Sequence, residues 1–228
     1  MWHARLGAVG TPWLDDHRDT VTVTGPDAMT YLQSQLSQEI CDLAIGDARW
    51  TFLLEPNGRV SVLARVTRVA DETYRLDTDG GFGQVLLDRV NRFKIRVRAE
   101  VEITASAGRP LDDDVEAARI EAGWPRMGAE IIPGETIPAE TGLNAVAVNF
   151  KKGCYPGQEL VERMDSRGAQ APRRLCQLDV EQGAAAGDAI VVDGAEVGKL
   201  TTVAGTLALG YVKRGVDYGR PVAALART

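Results

Sequence analysis

The chain has 228 residues, enough for one large domain or two small ones. Apolar residues make up 44% of it and charged residues 25%, ordinary proportions for a globular protein, and no stretch approaches the roughly 20 apolar residues of a membrane span. Its 26 basic and 32 acidic residues leave a net charge of −6, which argues against a general nucleic-acid surface; the arginines at 89–98 and 163–174 are interrupted by acidic residues and suit a local anion-binding patch at most.

Met1-Trp2-His3-Ala4-Arg5 lacks the charged, apolar and small-residue regions of a secretion signal, so the cytoplasm is the expected compartment. Thr20-Val21-Thr22-Val23 reads as a short strand closed by Gly25. Pro26 opens a helix, with Met29, Leu32, Leu36 and Ile40 at spacings of three and four, ending before Gly46. Arg49 to Leu54 is a strand, and Glu55-Pro56-Asn57-Gly58 is the turn of a hairpin. The returning strand puts Val60, Val62, Ala64 and Val66 on one face and Ser61, Leu63, Arg65 and Thr67 on the other. Tyr74 to Asp77 adds a short strand, and Gly83 to Phe93 a helix with Leu86, Val90 and Phe93 inward.

Residues 95–103 show the cleanest alternation in the chain. Ile95, Val97, Ala99, Val101 and Ile103 oppose Arg96, Arg98, Glu100 and Glu102, the pattern of a half-buried strand. Gly108-Arg109-Pro110 breaks it. Asp112 to Ala122 reads as a helix with an acidic first turn and Gly123 at its end. Its inner stripe is Leu111, Val115, Ala118 and Ala122, with Arg119 and Glu121 on opposite flanks. Residues 123–149 are rich in Gly and Pro and read as surface loops. After Pro172 short strands with frequent glycines follow, at Leu175–Val180, Ala189–Val192, Val197–Thr202 and Leu207–Val212. The class expected is α+β with a small C-terminal β-barrel, divided as 1–168 and 172–228.

Three widely spaced cysteines, Cys41, Cys154 and Cys176, suit neither a disulfide framework nor a self-contained metal site, and two histidines, His3 and His17, add little to one. Cys41 and Cys176 read as packing residues. Cys154 stands in a different setting, Lys152-Gly153-Cys154-Tyr155-Pro156-Gly157-Gln158-Glu159, which has no apolar periodicity. Pro156-Gly157 suits the centre of a type II turn, and Gln158 to Met164 a helix with Leu160, Val161 and Met164 on one face. A thiol beside a helix N-terminus, with Lys151 and Lys152 close by, is favoured as thiolate. By composition alone Cys154 fits a buried small apolar residue as well.

This octapeptide resembles the signature of the YgfZ family, folate-binding relatives of the T protein of the glycine cleavage system, with a mitochondrial branch serving iron–sulfur cluster assembly. Arg119-Ile120-Glu121-Ala122-Gly123-Trp124-Pro125, Gly128, Glu130-Ile131, Ile137-Pro138-Ala139-Glu140, Asn144 and Phe150-Lys151-Lys152 resemble the family's upstream segments; Arg163, Arg167-Gly168 and Arg173-Arg174-Leu175 resemble those downstream.

The resemblance implies a T protein-like module of two interleaved subdomains around a central folate cavity, followed by the barrel. It implies tetrahydrofolate or another reduced folate as ligand, iron–sulfur client or assembly proteins as partners, and support of iron–sulfur enzymes, including tRNA-modifying ones. No direct nucleic-acid contact, membrane association or resident metal is expected, and the expected state is a monomer.

In that frame Glu121 orients the pterin, because one carboxylate accepts from its ring N–H and amine together. Arg173 and Arg174 meet the carboxylate tail, Trp50 stands near the ring, and Cys154 is a reactive thiol. Structural roles compete for each: a solvated Glu121 paired to Arg119 or Arg126, a basic strand start, a core Trp50. Lys152 and Glu159 suit an ion pair across the turn, and Gly153 and Gly157 suit backbone geometry. The T protein carries adjacent aspartates after its first hairpin turn, one essential for aminomethyl transfer. Alignment on Asn57-Gly58 puts Ser61 and Val62 there, and neither is a general base. A one-carbon transferase and a ligand-free interaction module are the rival functions.

Overall fold

The computed structural model describes residues 18–104, 111–166 and 171–222. His3, His17, Gly108-Arg109-Pro110 and Arg167-Gly168 lie outside the described residues, as does part of the expected boundary at Gly168–Pro172.

The first sheet is built from β1 (Arg18–Thr24), the hairpin of β2 (Ala48–Leu54) and β3 (Val60–Ala70), β4 (Thr73–Asp79) and β5 (Glu100–Thr104). Its order is β2-β3-β4-β1-β5, antiparallel throughout. The Asn-Gly turn forms as expected, with Gly58 at φ 83°. Helices α1 (Ala28–Gln35) and α2 (Gly83–Asn91) cover one face, where Val21, Val23, Val62, Ala64 and Val66 meet Leu32, Leu36, Leu86 and Val90. The Asp19 carboxylate accepts from the Gly81 and Gly83 N–H groups at 2.8 Å, fixing the start of α2.

The opposite face is also buried. Trp50, Phe52 and Leu63 pack there against Trp124, Met127, Leu143 and Val161. These come from the segment holding α3 (Asp113–Glu121), a single 3₁₀ turn (Pro138–Glu140), the short α4 (Asn144–Ala147) and α5 (Gln158–Ser166). Burial on both faces accounts for Leu63 among the otherwise polar residues on the second face of β3.

The C-terminal sheet has β6 (Arg173–Asp179), β7 (Ala189–Val192), β8 (Ala195–Ala204), β9 (Leu207–Lys213) and β10 (Arg220–Pro221), in the order β10-β6-β9-β8-β7. Cys176, Leu178, Ile190, Leu200, Ala208 and Val212 form its core. The mixed first part and all-β second part match the expected α+β class.

Four expectations need correction. The alternation at 95–103 yields a strand only over Glu100–Thr104, and Ile95 is 77% exposed. β1 ends at Thr24, so residues before Glu100 have no ladder to join, and Arg96 takes φ 56°. Phe93 lies outside α2 and is partly exposed, flanked by the Arg89 and Arg92 guanidinium groups at 4.9 and 5.4 Å. Helix α1 stops at Gln35 because Leu36 turns extended and bridges Leu53, although Leu36 and Ile40 remain buried.

Arg119 was expected on a flank of α3; it is 1% exposed instead. Its guanidinium meets Glu116 at 2.8 and 2.9 Å and Glu130 Oε2 at 3.0 Å. The fully buried Glu130 also accepts from the Arg126 N–H at 3.1 Å and, through Oε1, from the hydroxyls of Thr201 and Thr202 on β8. Its backbone carbonyl accepts from Tyr211 of β9 at 2.8 Å. Ile120 packs beside this network on Leu175, Leu209 and Val222. The barrel is therefore docked by a saturated buried ion pair rather than by apolar contact alone. Glu130→Ala removes one of the two carboxylates paired with buried Arg119 and strands the Arg126 N–H and the Thr201 and Thr202 hydroxyls, and an equilibrium urea denaturation should show a loss of about 3–5 kcal/mol. A loss under about 1 kcal/mol, the scale of a surface pair, would contradict this description.

Candidate functional site

The signature octapeptide forms a loop running from the end of the Phe150–Gly153 turn into α5, and its position is set by two close approaches. Gly157 takes φ 81°, and a Cβ there would lie 2.5 Å from the Glu55 carbonyl oxygen. A Cβ on Gly58 would lie 2.4 Å from the Cβ of Leu160 in α5. The signature turn is thus seated directly on the β2–β3 hairpin turn, and both glycines are required by the contact. Gly153 differs: a Cβ there meets nothing within 4 Å, so the expected geometric demand does not extend to it.

Lys152 fixes the loop's other end. Its Nζ donates to the Gln33 and Leu36 carbonyls, each at 2.5 Å, capping the C-terminus of α1. The expected partner, Glu159, instead pairs with Arg163 one helical turn on, at 2.7 Å. Lys152 Nζ also lies 5.0 Å from the ring of Tyr155, which is buried. Burial pulls the Lys152 ammonium down from 10.5 to about 8, against the pull of Glu39, and pushes the Tyr155 hydroxyl up to about 12. Gln158 Oε1 accepts from the Tyr155 N–H at 2.8 Å, closing the turn. Between these anchors Cys154 is exposed. The packing alternative for Cys154 is excluded, and Cys41, also read as a packing residue, is exposed too; Cys176 alone is buried.

The four residues expected to hold a folate each have their own described contacts. Glu121 is exposed at the end of α3, and only its backbone carbonyl has a described hydrogen bond, from Gln177 Nε2 at 2.9 Å. The helix turns Arg119, not Glu121, inward. Arg173 and Arg174 are neighbours on a strand and so face opposite sides. Arg173 pairs with Glu140 at 3.1 Å and stacks 4.2 Å over Tyr211, whereas Arg174 reaches the Val216 carbonyl at 2.9 Å. Trp50 is buried, with its ring 4.6 Å from that of Trp124 and the Arg18 guanidinium 5.1 Å away. Among the described residues, no group of three or more His, Cys, Asp or Glu side chains is placed to hold a metal ion.

Sequence comparison agrees with this architecture. A family profile described as "CAF17, C-terminal beta-barrel domain" matches residues 173–217. The chain is 36% identical over 99 residues to the "tRNA-modifying protein YgfZ" of Escherichia coli (strain K12 / DH10B), covering 43% of this chain and 26% of that protein. It is 42% identical over 71 residues to the mitochondrial "Iron-sulfur cluster assembly factor IBA57 homolog" of Chaetomium globosum, covering 31% and 16%. The solved structure of glycine cleavage system aminomethyltransferase T from Bartonella henselae superposes with a TM-score of 0.75 at 18% identity, over 86% of this chain and 76% of that one. The chain is thus similar to YgfZ and CAF17 proteins in these segments and shares the fold of the T protein.

Its matches span about a quarter or less of the two curated relatives' own length. It has the T protein fold, with Ser61 and Val62 where the sequence alignment on Asn57-Gly58 expects that protein's acidic pair. Val62 is fully buried in the core, and Ser61 donates to Glu55 Oε1 at 2.5 Å in a groove of about 550 Å³ that Arg89 and Arg92 also line. Sequence reasoning missed Gly58 and Gln33 as parts of the site. Gly58 was visible as a turn residue, but nothing local shows what it faces.

Gly157→Ala should cost about 1–3 kcal/mol and loosen the signature loop, through both the positive φ and the Glu55 contact. Gly153→Ala should stay within about 0.5 kcal/mol of the parent. Equal melting points for the two variants would contradict the seating of the turn. Lys152 supplies a pH test. The folded chain loses the Lys152 proton near pH 8 and the unfolded chain near 10.5, so the unfolded state binds more protons between them. Stability relative to Lys152→Met should therefore rise with pH across that window. A flat or falling difference in urea titrations would refute the burial of this ammonium.

Proposed function

We propose that this protein supports the assembly or repair of iron–sulfur enzymes, including enzymes that modify tRNA, through the exposed thiol of Cys154. The observation that carries the reading is the presentation of that thiol. A loop pinned at Lys152 and Gly157 leaves the sulfur accessible, with a cation two residues away. A thiol so placed is suited to reversible bonding to a partner's sulfur or to a carried sulfur species. The names of the iron–sulfur assembly factor and the tRNA-modifying protein that share its sequence support the same reading.

A one-carbon transferase is disfavoured by the buried Val62 and by Ser61, whose hydroxyl is occupied by Glu55. Folate enters this reading only as a ligand of related folds. No step is assigned to it, because Glu121, Arg173, Arg174 and Trp50 are described only in separate contacts.

In cells lacking this protein, the parent chain should restore the specific activity of an iron–sulfur dehydratase and the modified-base content of tRNA. Cys154→Ala, whose exposed position predicts a melting point near the parent's, should restore neither. Cys41→Ser and Cys176→Ser serve as controls for loss of any thiol. Full restoration by Cys154→Ala would refute the proposal.

A further inference from the structure

The second exposed cysteine belongs to the same edge of the molecule as the signature loop. Cys41 follows α1 on a turn, where its N–H donates to Glu39 Oε1 at 2.9 Å and its thiol meets Met29 Sδ at 3.5 Å. Glu39 accepts from Gln33 Nε2 at 2.9 Å, and the Gln33 carbonyl is one of the two that bind Lys152. Three direct hydrogen bonds thus connect Cys41 to Lys152, two residues from Cys154. The Lys152 charge also reaches the Cys41 thiol. Cys176 is sealed in the barrel core and takes no part.

We infer that Cys41 is the resolving thiol for Cys154, so that the two form a dithiol–disulfide pair across Lys152. The inference rests on Cys154 being the reactive thiol proposed above. In the first step the Cys154 thiolate attacks a low-molecular-weight disulfide such as oxidised glutathione. A sulfur–sulfur bond forms to Cys154, and one glutathione thiolate leaves. In the second step the Cys41 thiolate attacks the Cys154 sulfur, forming the protein disulfide and releasing the second glutathione thiolate. Two protein thiols are oxidised, one disulfide is reduced, and the two protons lost from the cysteines pass to the two glutathione thiolates.

The environments of the two sulfurs suit this order. Burial first, and then the hydrogen-bonded Glu39 carboxylate, push the Cys41 thiol up, which fits a second-step nucleophile better than a first attacker. Cys41 is carried on a turn after α1, and its backbone is the side that would shift to bring the Cα atoms to the roughly 5.5–6 Å typical of a disulfide. Closure would tie the end of α1 to the signature loop and mask Cys154, so the pair also sets when the thiol is available to a partner.

The test is incubation of the full native chain with oxidised glutathione, followed by intact-mass measurement and peptide mapping. The wild type should lose two hydrogens and yield a linked Cys41–Cys154 peptide pair. Cys41→Ser should instead accumulate one glutathionyl group on Cys154, on the order of tenfold more than the wild type does. Cys154→Ser should form no internal disulfide. Equal glutathionyl loading of Cys154 in the wild type and Cys41→Ser overturns the inference while leaving the reactive thiol standing. Absence of any modification at Cys154 overturns both.

Discussion

Gly157 and Gly58 allow two backbone turns to approach until no side chain fits between them. A Cβ on either would fall within 2.5 Å of a heavy atom of the facing element. Because the β2–β3 hairpin is itself part of a sheet buried on both faces, the signature loop inherits the sheet's rigidity. Lys152 then ties the loop to the end of α1 by two short bonds. The thiol between those anchors is presented by a rigid scaffold, although it sits on a loop.

The same economy of contacts operates at the junction with the barrel. The Glu130 carboxylate accepts from four donors, Arg119, the Arg126 N–H, Thr201 and Thr202, and its backbone carbonyl from Tyr211, so that α3, the loop after it, β8 and β9 meet at one residue. A buried carboxylate is tolerable only when so fully bonded. The consequence is a fixed relation between α3 and the C-terminal sheet. That relation places Arg173 beside Glu140 and leaves Glu121 at the outer end of its helix.

Local chemistry was legible in the sequence. The Asn57-Gly58 hairpin, the Pro156-Gly157 turn, the strands of the C-terminal sheet and α3 all follow from turn residues and periodicity. Non-local terms overrode the rest. The 95–103 alternation is real, but a strand needs a neighbour, and β1 runs out at Thr24. The inward side of α3 depends on the barrel residues that receive Ile120, which no helical pattern reveals. The divergence of Arg173 and Arg174 was available from strand periodicity alone. Cys41 gave no local sign, because its environment is supplied by the end of α1 and by a lysine far along the chain.

A shared fold with an aminomethyltransferase is compatible with the proposed thiol chemistry, since the aligned strand carries Val62 into the core and occupies Ser61 with Glu55. What the fold retains is a stiff platform, and what this chain places on it is a thiol. The most direct check is the reaction of the native protein with an aromatic disulfide reagent, followed as thiolate release. The account predicts prompt reaction of two of the three cysteines, Cys41 and Cys154, and of Cys176 only after denaturant is added. A native protein in which Cys154 stays silent until the chain unfolds would contradict it.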